Sequence, residues 1–451
     1  MDLKPTKTLS GFIELTPIQQ RCFDDCAARM QTVLRTAGFA HLDLPAIERA
    51  EVLTDKDNWD EIETQMFLFQ KGDTKMGLRY DGTVGLARYV AGHLNELAFP
   101  FRAYQFARNY RGERPQRGRY REFYQMDLDI MGRETLSTNY DAEIIATLAR
   151  AYKSIEDVVG KTHVRIGSRK ICNLMFQHLG LSEAQQRELF ILIDKKDKMG
   201  EETFMAAVTD VVGADAAREI NRLVYSHYQG LVGTSPELTD AVMEMDRFME
   251  MLRQMGVENA AVDLSIMRGH AYYTGIVFEF FLDDFPELGA VGGGGRYENL
   301  ASKFSKTKIV GVGAAVGFSR LMVALMDAGR IDMTRYENPV DIAVLVMGNQ
   351  NVSYALEIVS ELRELNIATI AYLDADKKIK AQFEYADKIG VPYVFTIGDD
   401  EARDRNVRVK NMRGETRFGY GKEFTTGSSM RQLMGLLFPD RVLPQEKELL
   451  E

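Results

Sequence analysis

The stretch FRAYQFARNYRGERPQRGRYREFYQMDLDIMG, residues 101–132, decides the fold. In its second half, the aromatic or apolar residues at 124, 126, 128 and 130 alternate with Gln125, Asp127 and Asp129. This period of two predicts a half-buried β-strand, here with an acidic face. Residues 101–111 also have strand character, and segment 112–118 contains the Gly and Pro residues that favour a turn. The stretch therefore predicts one long antiparallel hairpin.

The tip of this hairpin carries a dense cluster of arginines, at positions 108, 111, 114, 117, 119 and 121. Planar cations so close together repel one another unless anions bind between them. A solvated, arginine-rich hairpin at a sheet edge would explain the charge by itself, because edge charges discourage aggregation. A plain edge hairpin would not, however, require Asp127 and Asp129 on the same face as Gln125 at the inner end of the second strand. The pattern therefore favours a site that binds a polyanion at one end and a small cationic or hydrogen-bonding molecule at the other.

Length and composition indicate an ordinary globular protein. The chain has 451 residues, enough for two or three domains, and 45% of them are hydrophobic. We find no signal pattern and no run of eighteen apolar residues, and we expect a cytoplasmic protein without membrane contact. Cys22, Cys26 and Cys172 are too few and badly placed for a disulfide framework or a zinc site. The net charge of −10 argues against indiscriminate nucleic-acid binding, although a local basic patch can still dominate because screening acts over roughly 8 Å.

The N-terminal third predicts two helices separated by short strands. A helix over residues 16–36, capped at its first residue, leads into a strand that ends at Pro45. Asp81 and Thr83 lie at the start of a second helix, over residues 84–93. Helix capping, which contributes about 1 kcal/mol per residue, is enough to account for both of them.

The rest of the chain predicts a helical module followed by two further β-rich parts. Residues 169–256 have helical patterning, and residues 272–282 form a strong strand. The four glycines at 292–295 lack the Gly-Lys-Ser/Thr ending of a phosphate loop, so we interpret them as a place of close backbone approach. Arg320 in the first turn of a buried helix needs an anion nearby, because the helix dipole disfavours cations there. From residue 341 onward, strands alternate with helices, which predicts a separate β/α/β domain.

Several of these motifs resemble those of the histidyl-tRNA synthetases, a family of class II aminoacyl-tRNA synthetases, along nearly the whole chain. The helix and strand that end at Pro45 are similar to motif 1, the dimer-forming element of the class. Residues 106–132, with RGERPQRGRYR at 111–121, are similar to motif 2, and residues 317–320 resemble motif 3. The segment RGHAYYTG at 268–275 resembles the histidine-specific signature, which is the most discriminating of these motifs.

The resemblance implies an α+β fold with a class II synthetase-type antiparallel sheet flanked by helices. Its catalytic domain would comprise residues 1–168 and 259–330, with a helical insertion domain at 169–258. A C-terminal α/β anticodon-binding domain would follow at 340–451. The resemblance also implies a homodimer formed through motif 1.

The activity implied is ATP-dependent ligation of histidine to tRNA(His) through a histidyl-adenylate, with Mg²⁺ present. By resemblance, Arg268 and Arg111 would be catalytic. The ATP-binding residues would be Arg111, Glu113, Arg119 and Arg320, of which Glu113 would contact adenine or metal. The histidine-binding residues would be Asp81, Thr83, Gln125, Asp129, Tyr272 and Tyr273. Arg114 and Gln116 would contact the acceptor end of the tRNA.

The chain departs from the family pattern at two places. His270 and Ala271 stand where the signature usually has leucine and an acidic or small residue, so a role for an acid there cannot be carried over. Ser319 stands where motif 3 usually has glutamate, which removes a partner for Arg320.

Two rival functions share the implied fold. One is a synthetase-like regulatory subunit of ATP phosphoribosyltransferase in histidine biosynthesis, a relative that usually lacks the C-terminal domain and has a degraded signature. The other is a non-catalytic tRNA-sensing domain, which should have lost ATP-binding arginines. This chain keeps Arg111, Arg119 and Arg320, together with Arg268 and Tyr273.

Overall fold

The computed structural model describes residues 6–54, 64–196, 199–225, 227–266, 273–298, 301–337, 340–412, 423–426 and 430–438. The chain divides into two compact units, Met1–Ile331 and Asp332–Glu451. Among the described residues, the first unit has an eight-stranded and a three-stranded sheet, and the second unit has a five-stranded sheet.

Strands and helices alternate irregularly along the first unit. Its described strands are β1 (Ala40–His41), β2 (Ile47–Arg49), β3 (Leu68–Lys71), β4 (Thr74–Leu78), β5 (Phe101–Tyr110), β6 (Glu122–Arg133), β7 (Thr162–Ser168), β8 (Ala260–Val262), β9 (Tyr273–Leu282), β10 (Gly292–Tyr297) and β11 (Ile309–Val316). Its described α-helices are α1 (Pro17–Thr36), α2 (Ala50–Leu53), α3 (Thr83–Gly92), α4 (Asn139–Lys153), α5 (Glu156–Val159), α6 (Arg169–His178), α7 (Glu183–Asp194), α8 (Glu201–Val212), α9 (Ala214–Tyr225), α10 (Pro236–Gln254) and α11 (Phe318–Asp327).

An eight-stranded sheet organises this unit, in the order β1-β5-β6-β11-β10-β9-β7-β8. Strands β5 and β6 pair antiparallel, with Gln105 opposite Asp127, which confirms the predicted hairpin. The edge-hairpin alternative is wrong, because β11 pairs with the other side of β6. The prediction of a half-buried strand is also wrong. Residues 125–132 are buried throughout, since the acidic face of β6 is covered by other parts of the unit rather than by solvent.

The predicted N-terminal helix is confirmed, but the strand after it is shorter than expected. Thr16 caps α1 through a reciprocal hydrogen-bond pair with Gln19. Only Ala40–His41 forms a strand, paired parallel with β5. The carbonyl oxygen of Leu44, farther along, accepts a hydrogen bond from Arg79 Nη1 at 2.8 Å and not from a neighbouring strand. The extended segment therefore leaves the sheet before it reaches Pro45.

The glycine run forms β10, which lies between β9 and β11. A Cβ on Gly294 would lie 2.0 Å from the carbonyl oxygen of Gly313, and one on Gly293 would lie 2.6 Å from that of Phe278. Such distances are far inside van der Waals contact. The glycines are therefore required by close strand packing, as the sequence interpretation expected.

The helical segment predicted after residue 169 consists of α6 to α10 and a 3-10 turn at Tyr228–Leu231. It connects β7 to β8, which pair in parallel at the end of the sheet. Helix α10 packs against α6 within the segment and against α4 outside it, and α4 in turn packs on β11 of the main sheet.

The second unit contains β12 (Ile342–Val346), β13 (Thr369–Tyr372), β14 (Tyr393–Ile397), β15 (Val407–Asn411) and β16 (Glu423–Thr426), with α12 (Val352–Glu364), α13 (Ile379–Lys388), α14 (Asp399–Asp404) and α15 (Met430–Leu437). The sheet order is β13-β12-β14-β15-β16. Strands β12, β13 and β14 are parallel, which confirms the predicted β/α/β pattern. The antiparallel β15 and β16 were not predicted. Arg405, with a φ of 53°, ends α14 in the left-handed region and turns the chain back into β15.

Replacing Gly294 by alanine should destabilise the first unit strongly. The new methyl group would collide with the backbone of β11, which cannot move without breaking the sheet, and we expect a loss of about 3 kcal/mol in the free energy of unfolding. Urea denaturation followed by circular dichroism measures this loss. Gly92→Ala at the end of α3 is the matched control, because a Cβ there meets no atom within 4 Å. Equal stability of the two variants would contradict the packing argument.

Candidate active site

The largest set of predicted residues lines one cavity of about 400 Å³. Its walls come from the β5–β6 hairpin, from β9 to β11 and from the start of α11. The predicted residues that line it are Arg111, Glu113, Arg119, Gln125, Tyr273 and Arg320. The structure therefore brings together residues that lie more than 200 positions apart in the chain.

Arg111 is held between two aromatic rings. Its guanidinium carbon lies 4.3 Å from the centre of the Tyr80 ring and 5.1 Å from that of Phe123. Its Nε also donates to the carbonyl oxygen of Tyr80, at 3.4 Å. Stacking of this kind orients a guanidinium without neutralising its charge. Arg111 is consequently suited to bind an anion that enters the cavity.

Arg320 and Arg119 complete the cationic wall. Arg320 Nη2 donates to the carbonyl oxygen of Leu288, and Gly118 leaves room for the Arg320 side chain, since a Cβ there would lie 3.2 Å from its Cγ. Arg119 Nη1 lies 3.2 Å from Glu113 Oε2. The wall is thus braced by a backbone carbonyl group and by one carboxylate.

Ser319 explains how the chain accommodates its departure from the motif 3 pattern. Its hydroxyl oxygen accepts from the backbone N–H of Tyr124 at 2.8 Å. Ser319 therefore fastens the start of α11 to β6, and Arg320 takes the Leu288 carbonyl group as a partner.

A smaller pocket of about 40 Å³ adjoins the main cavity. The two share Gln125, Tyr273 and Ala315 in their walls. The small pocket is lined by Asp81, Thr83, Gln125, Asp127, Asp129, Tyr273, Tyr297, Gly313, Ala314 and Ala315. An acidic pocket therefore lies next to a cationic cavity, as the hairpin sequence predicted.

Asp81 has one oxygen in a structural role and one left over. The backbone N–H groups of Thr83 and Val84 both donate to its Oδ1, at 3.1 Å, which confirms the expected capping of α3. Its Oδ2 is buried and has no hydrogen-bond partner within the structure as described. A buried carboxylate oxygen without a donor is costly, so this atom is suited to receive a donor from a ligand.

Asp129 is held from below by Tyr297. The Tyr297 hydroxyl donates to Asp129 Oδ1 at 2.8 Å, and a Cβ on Gly313 would lie only 2.2 Å from the same oxygen. Burial raises the pKa of Asp129 to about 8. Tyr297 was not among the predicted site residues. Its position at the end of β10, two residues after the glycine run, was the only sequence signal that could have suggested it.

The remaining predicted residues divide into two groups. Arg268 and Tyr272 lie outside the described residues, together with His270 and Ala271, so their predicted roles stay predictions. Arg114 and Gln116 are exposed on the turn of the hairpin, where Gln116 and Arg119 exchange backbone hydrogen bonds of 3.2 and 2.8 Å. This turn presents their side chains to solvent beside the cavity.

Within the described ranges, no group of three or more His, Cys, Asp or Glu side chains is arranged to hold a metal ion. None of the helices in that same part of the chain has the length and apolar character needed to cross a membrane.

Comparison with known proteins assigns the family. Residues 11–325 match the family model of histidyl-tRNA synthetase, and residues 341–420 match that of the anticodon binding domain. The histidine–tRNA ligase of Clostridium tetani is 35% identical over 429 residues, which cover 91% of this chain and 95% of that protein. The chain belongs to the histidyl-tRNA synthetase family. The histidine–tRNA ligase of Finegoldia magna is similarly related, at 36% identity over 90% of this chain and 95% of its own length.

Solved structures agree with this family assignment. A crystal structure of histidyl-tRNA synthetase from a Nostoc species superposes with a TM-score of 0.81 at 29% identity, covering 94% of this chain and 97% of that one. A Bacillus halodurans protein described as an ATP phosphoribosyltransferase regulatory subunit/histidyl-tRNA synthetase superposes with a TM-score of 0.69 at 22% identity and shows the fold alone. The predicted fold class, α+β with a large antiparallel sheet and a C-terminal anticodon-binding domain, is confirmed.

Replacing Asp129 by asparagine should change how stability depends on pH. The folded-state pKa of about 8 lies above the unfolded value of about 3.9, so the folded protein keeps a proton that the unfolded chain loses. The stability of the wild type relative to the variant must therefore fall as pH rises through this range. We expect Asp129→Asn to gain about 1 kcal/mol or more relative to the wild type between pH 5 and pH 8.5.

Urea denaturation of the ligand-free proteins at the two pH values measures this difference. Asp240→Asn, at an exposed position of α10, is the control, and its difference from the wild type should stay constant. A constant difference for Asp129→Asn as well would show that Asp129 is not held in a proton-retaining environment.

Proposed function

We propose that this chain activates L-histidine with ATP to form histidyl-adenylate and pyrophosphate, and then transfers the histidyl group to the 3′ end of tRNA(His). Family membership supports the reaction, since the relatives at 35–36% identity are histidine–tRNA ligases. The single observation that carries the proposal is the acidic pocket that adjoins the arginine-lined cavity through Gln125 and Tyr273. The carboxylates of the small pocket suit the donor groups of an amino acid bound where the two spaces meet, and the arginines of the larger cavity suit a triphosphate.

The arginines supply the charge that the first step needs. Attack of the histidine carboxylate on the α-phosphate brings two anions together, so preorganised cations lower the barrier. In this proposal Arg111 binds the α-phosphate, while Arg119 and Arg320 hold the rest of the triphosphate. Arg268 would stand between the carboxylate and the α-phosphate, as the family signature implies. Removing one such donor typically costs about 3 kcal/mol of transition-state stabilisation.

The small pocket offers acceptors for the two donor groups of histidine, the ammonium group and the ring N–H. Asp81 Oδ2, with no partner of its own within the described structure, would accept from the ammonium group beside Thr83 and Gln125. Asp129 would accept from the imidazole ring, with Tyr273 and Tyr272 completing its surroundings. Pockets that hydrogen-bond a ring N–H reject apolar isosteres strongly, because their buried polar groups would lose their partners.

Mg²⁺ would accompany ATP, and the cavity contains residues that fit it. Mg²⁺ keeps several waters and is usually bound by one or two carboxylates together with substrate phosphates. Glu113 and Glu279 both line the cavity and would serve as those carboxylates. When bound, the ion would neutralise part of the phosphate charge, as the arginines of the cavity also would.

The other parts of the chain would bind the tRNA and form the dimer. The insertion domain would span residues 169–258 and the anticodon-binding domain residues 340–451, on either side of the second catalytic segment at 259–330. A homodimer would form through α1 and the strand that follows it, by similarity to motif 1. We place the protein in the cytoplasm, where its tRNA substrate occurs.

Histidine-dependent ATP–pyrophosphate exchange in the presence of Mg²⁺ tests the first step. The wild type should catalyse exchange with histidine, and Asp129→Ala should lose histidine-dependent exchange because the ring loses its acceptor. Asp240→Ala, an exposed change, should behave as the wild type does. Near wild-type saturation of Asp129→Ala with histidine would refute the assignment of the pocket.

The same preparation separates the rival functions. A non-catalytic tRNA sensor would form no adenylate, and a regulatory subunit would not charge tRNA. Exchange followed by charging of tRNA(His) excludes both rivals, whereas failure of either step supports the corresponding one.

Contact between the hairpin turn and the tRNA backbone predicts a particular salt dependence. Arg114→Ala should weaken tRNA binding and reduce the slope of log affinity against log salt by about 0.7 to 0.9, the value for one lost phosphate contact. Gln116→Ala is the matched neighbour, because it removes a side chain without a charge and should leave the slope unchanged. Filter binding over a range of salt concentrations measures both slopes. An unchanged slope in Arg114→Ala would place Arg114 away from the tRNA.

A further inference from the structure

Asp127 is a buried carboxylate at the site to which the proposed reaction gives no task. It lies on β6, opposite Gln105 of β5 on one side and Ala315 of β11 on the other. Its exposed fraction is 2%, and it lines the small pocket together with Asp81 and Asp129. A charge this deeply buried is costly, so its presence calls for a specific contact.

That contact is with Gln125. Gln125 Nε2 donates to Asp127 Oδ1 at 2.5 Å. Because an ionised carboxylate can only accept hydrogen bonds, it fixes which end of the carboxamide faces it. The amide nitrogen must point toward Asp127, and the amide oxygen must point elsewhere. Gln125 lines both the small pocket and the main cavity, so its oxygen is the atom left for a ligand.

The turn before α3 packs closely against Asp127. Gln105 Nε2 donates to the carbonyl oxygen of Gly82 at 3.0 Å and keeps that turn against the sheet. A Cβ on Gly82 would lie 2.7 Å from Asp127 Oδ2. Only a glycine at this position lets the carboxylate lie where it reaches Gln125. Asp81, the residue before Gly82, lines the same pocket, and its Oδ2 is buried without a hydrogen-bond partner in the described structure.

We propose that Asp127 is a positioning residue for the amino acid: it orients the Gln125 carboxamide so that its oxygen, together with Asp81, accepts hydrogen bonds from the substrate ammonium. This proposal rests on the proposed function, since it concerns the same substrate. Without Asp127, the carboxamide can rotate and present its N–H groups to the ammonium, which would repel it. Asp127 therefore favours amino-acid ligands with a free, protonated α-amino group.

The charges around Asp127 make this orientation depend on pH. The carboxyl groups of Asp81 and Asp129 lie on one side of it, and the guanidinium groups of Arg79 and Arg111 act on it from the other parts of the site. Burial raises the pKa of Asp127 to about 7. Once protonated, the carboxyl group can donate to the Gln125 oxygen, and the carboxamide loses its fixed orientation. An ammonium in the pocket favours the ionised form, so histidine should bind more tightly as pH rises through about 7.

Two substitutions at this position separate the hydrogen bond from the charge. Asp127→Ala removes both, and we expect the KM for histidine in ATP–pyrophosphate exchange to rise about tenfold or more. The kcat and the KM for ATP should change less than threefold, because Asp127 touches neither ATP nor the reacting atoms. Asp127→Asn can still accept from Gln125 and should show a smaller rise in KM.

The pH profile gives a readout that a purely structural role would not move. The ratio of the KM for histidine in Asp127→Asn to that in the wild type, measured from pH 6 to pH 9, cancels the titration of the ligand itself. It should increase with pH and level off above about 7. A ratio that is constant across this range overturns the proposal, as does an unchanged KM for histidine in Asp127→Ala.

A third variant tests the geometry without removing the carboxylate. Gly82→Ala should displace Asp127 and raise the KM for histidine in the same way, and combining it with Asp127→Ala should add little further. Fully additive effects would contradict the proposal. If Asp127→Ala fails to fold by circular dichroism, the isosteric Asp127→Asn and its pH profile still decide the question. Absence of any exchange with histidine in the wild type would instead refute the proposed function.

Discussion

Close packing across the central strands β6, β11 and β10 is the constraint on which the site depends. Gly313 leaves the space that the Asp129 carboxylate occupies, and Gly311 leaves the space for the Tyr297 ring, whose Cζ would lie 2.3 Å from a Cβ there. Because neither glycine has a side chain, Tyr297 and Asp129 can approach to form their 2.8 Å hydrogen bond. A larger residue at either position of β11 would collide with Asp129 or Tyr297. The two glycines therefore determine whether the acidic pocket can form.

The site combines two opposite electrostatic environments with little space between them. Carboxylates are buried under one end, where removal from water raises the pKa values of Asp127 and Asp129. Guanidinium groups line the other end, and Arg111 is held there by the rings of Tyr80 and Phe123 rather than by a carboxylate. A ligand that carries a cation at one end and an anion at the other would match both environments at once. This match explains why a single hairpin contributes residues to both halves.

Local patterns in the sequence were sufficient for part of this arrangement. Alternation along residues 124–130 predicted β6 and its acidic face, and the position of Asp81 before a helix predicted its capping role, because both depend on near neighbours. The burial of that face and the contact of Tyr297 with Asp129 depend on strands far apart in the chain, and one sequence does not specify them. The Asp127–Gln125 hydrogen bond shows the same limit, since alternation places both residues on one face without showing which atoms meet.

The parallel pairing of β7 and β8 has a consequence for engineering a smaller protein. Neighbouring parallel strands begin at the same end, so the chain that leaves β7 must return along the whole strand before β8 can start. Helix α10, with 19 residues, is about 28 Å long and is well suited to span that return. Helices α7 to α9 are not needed for it. A minimal version would therefore have to keep α10 or a connector of equal reach, and it would need a new partner for Phe176 of α6, whose ring packs on Phe190 of α7.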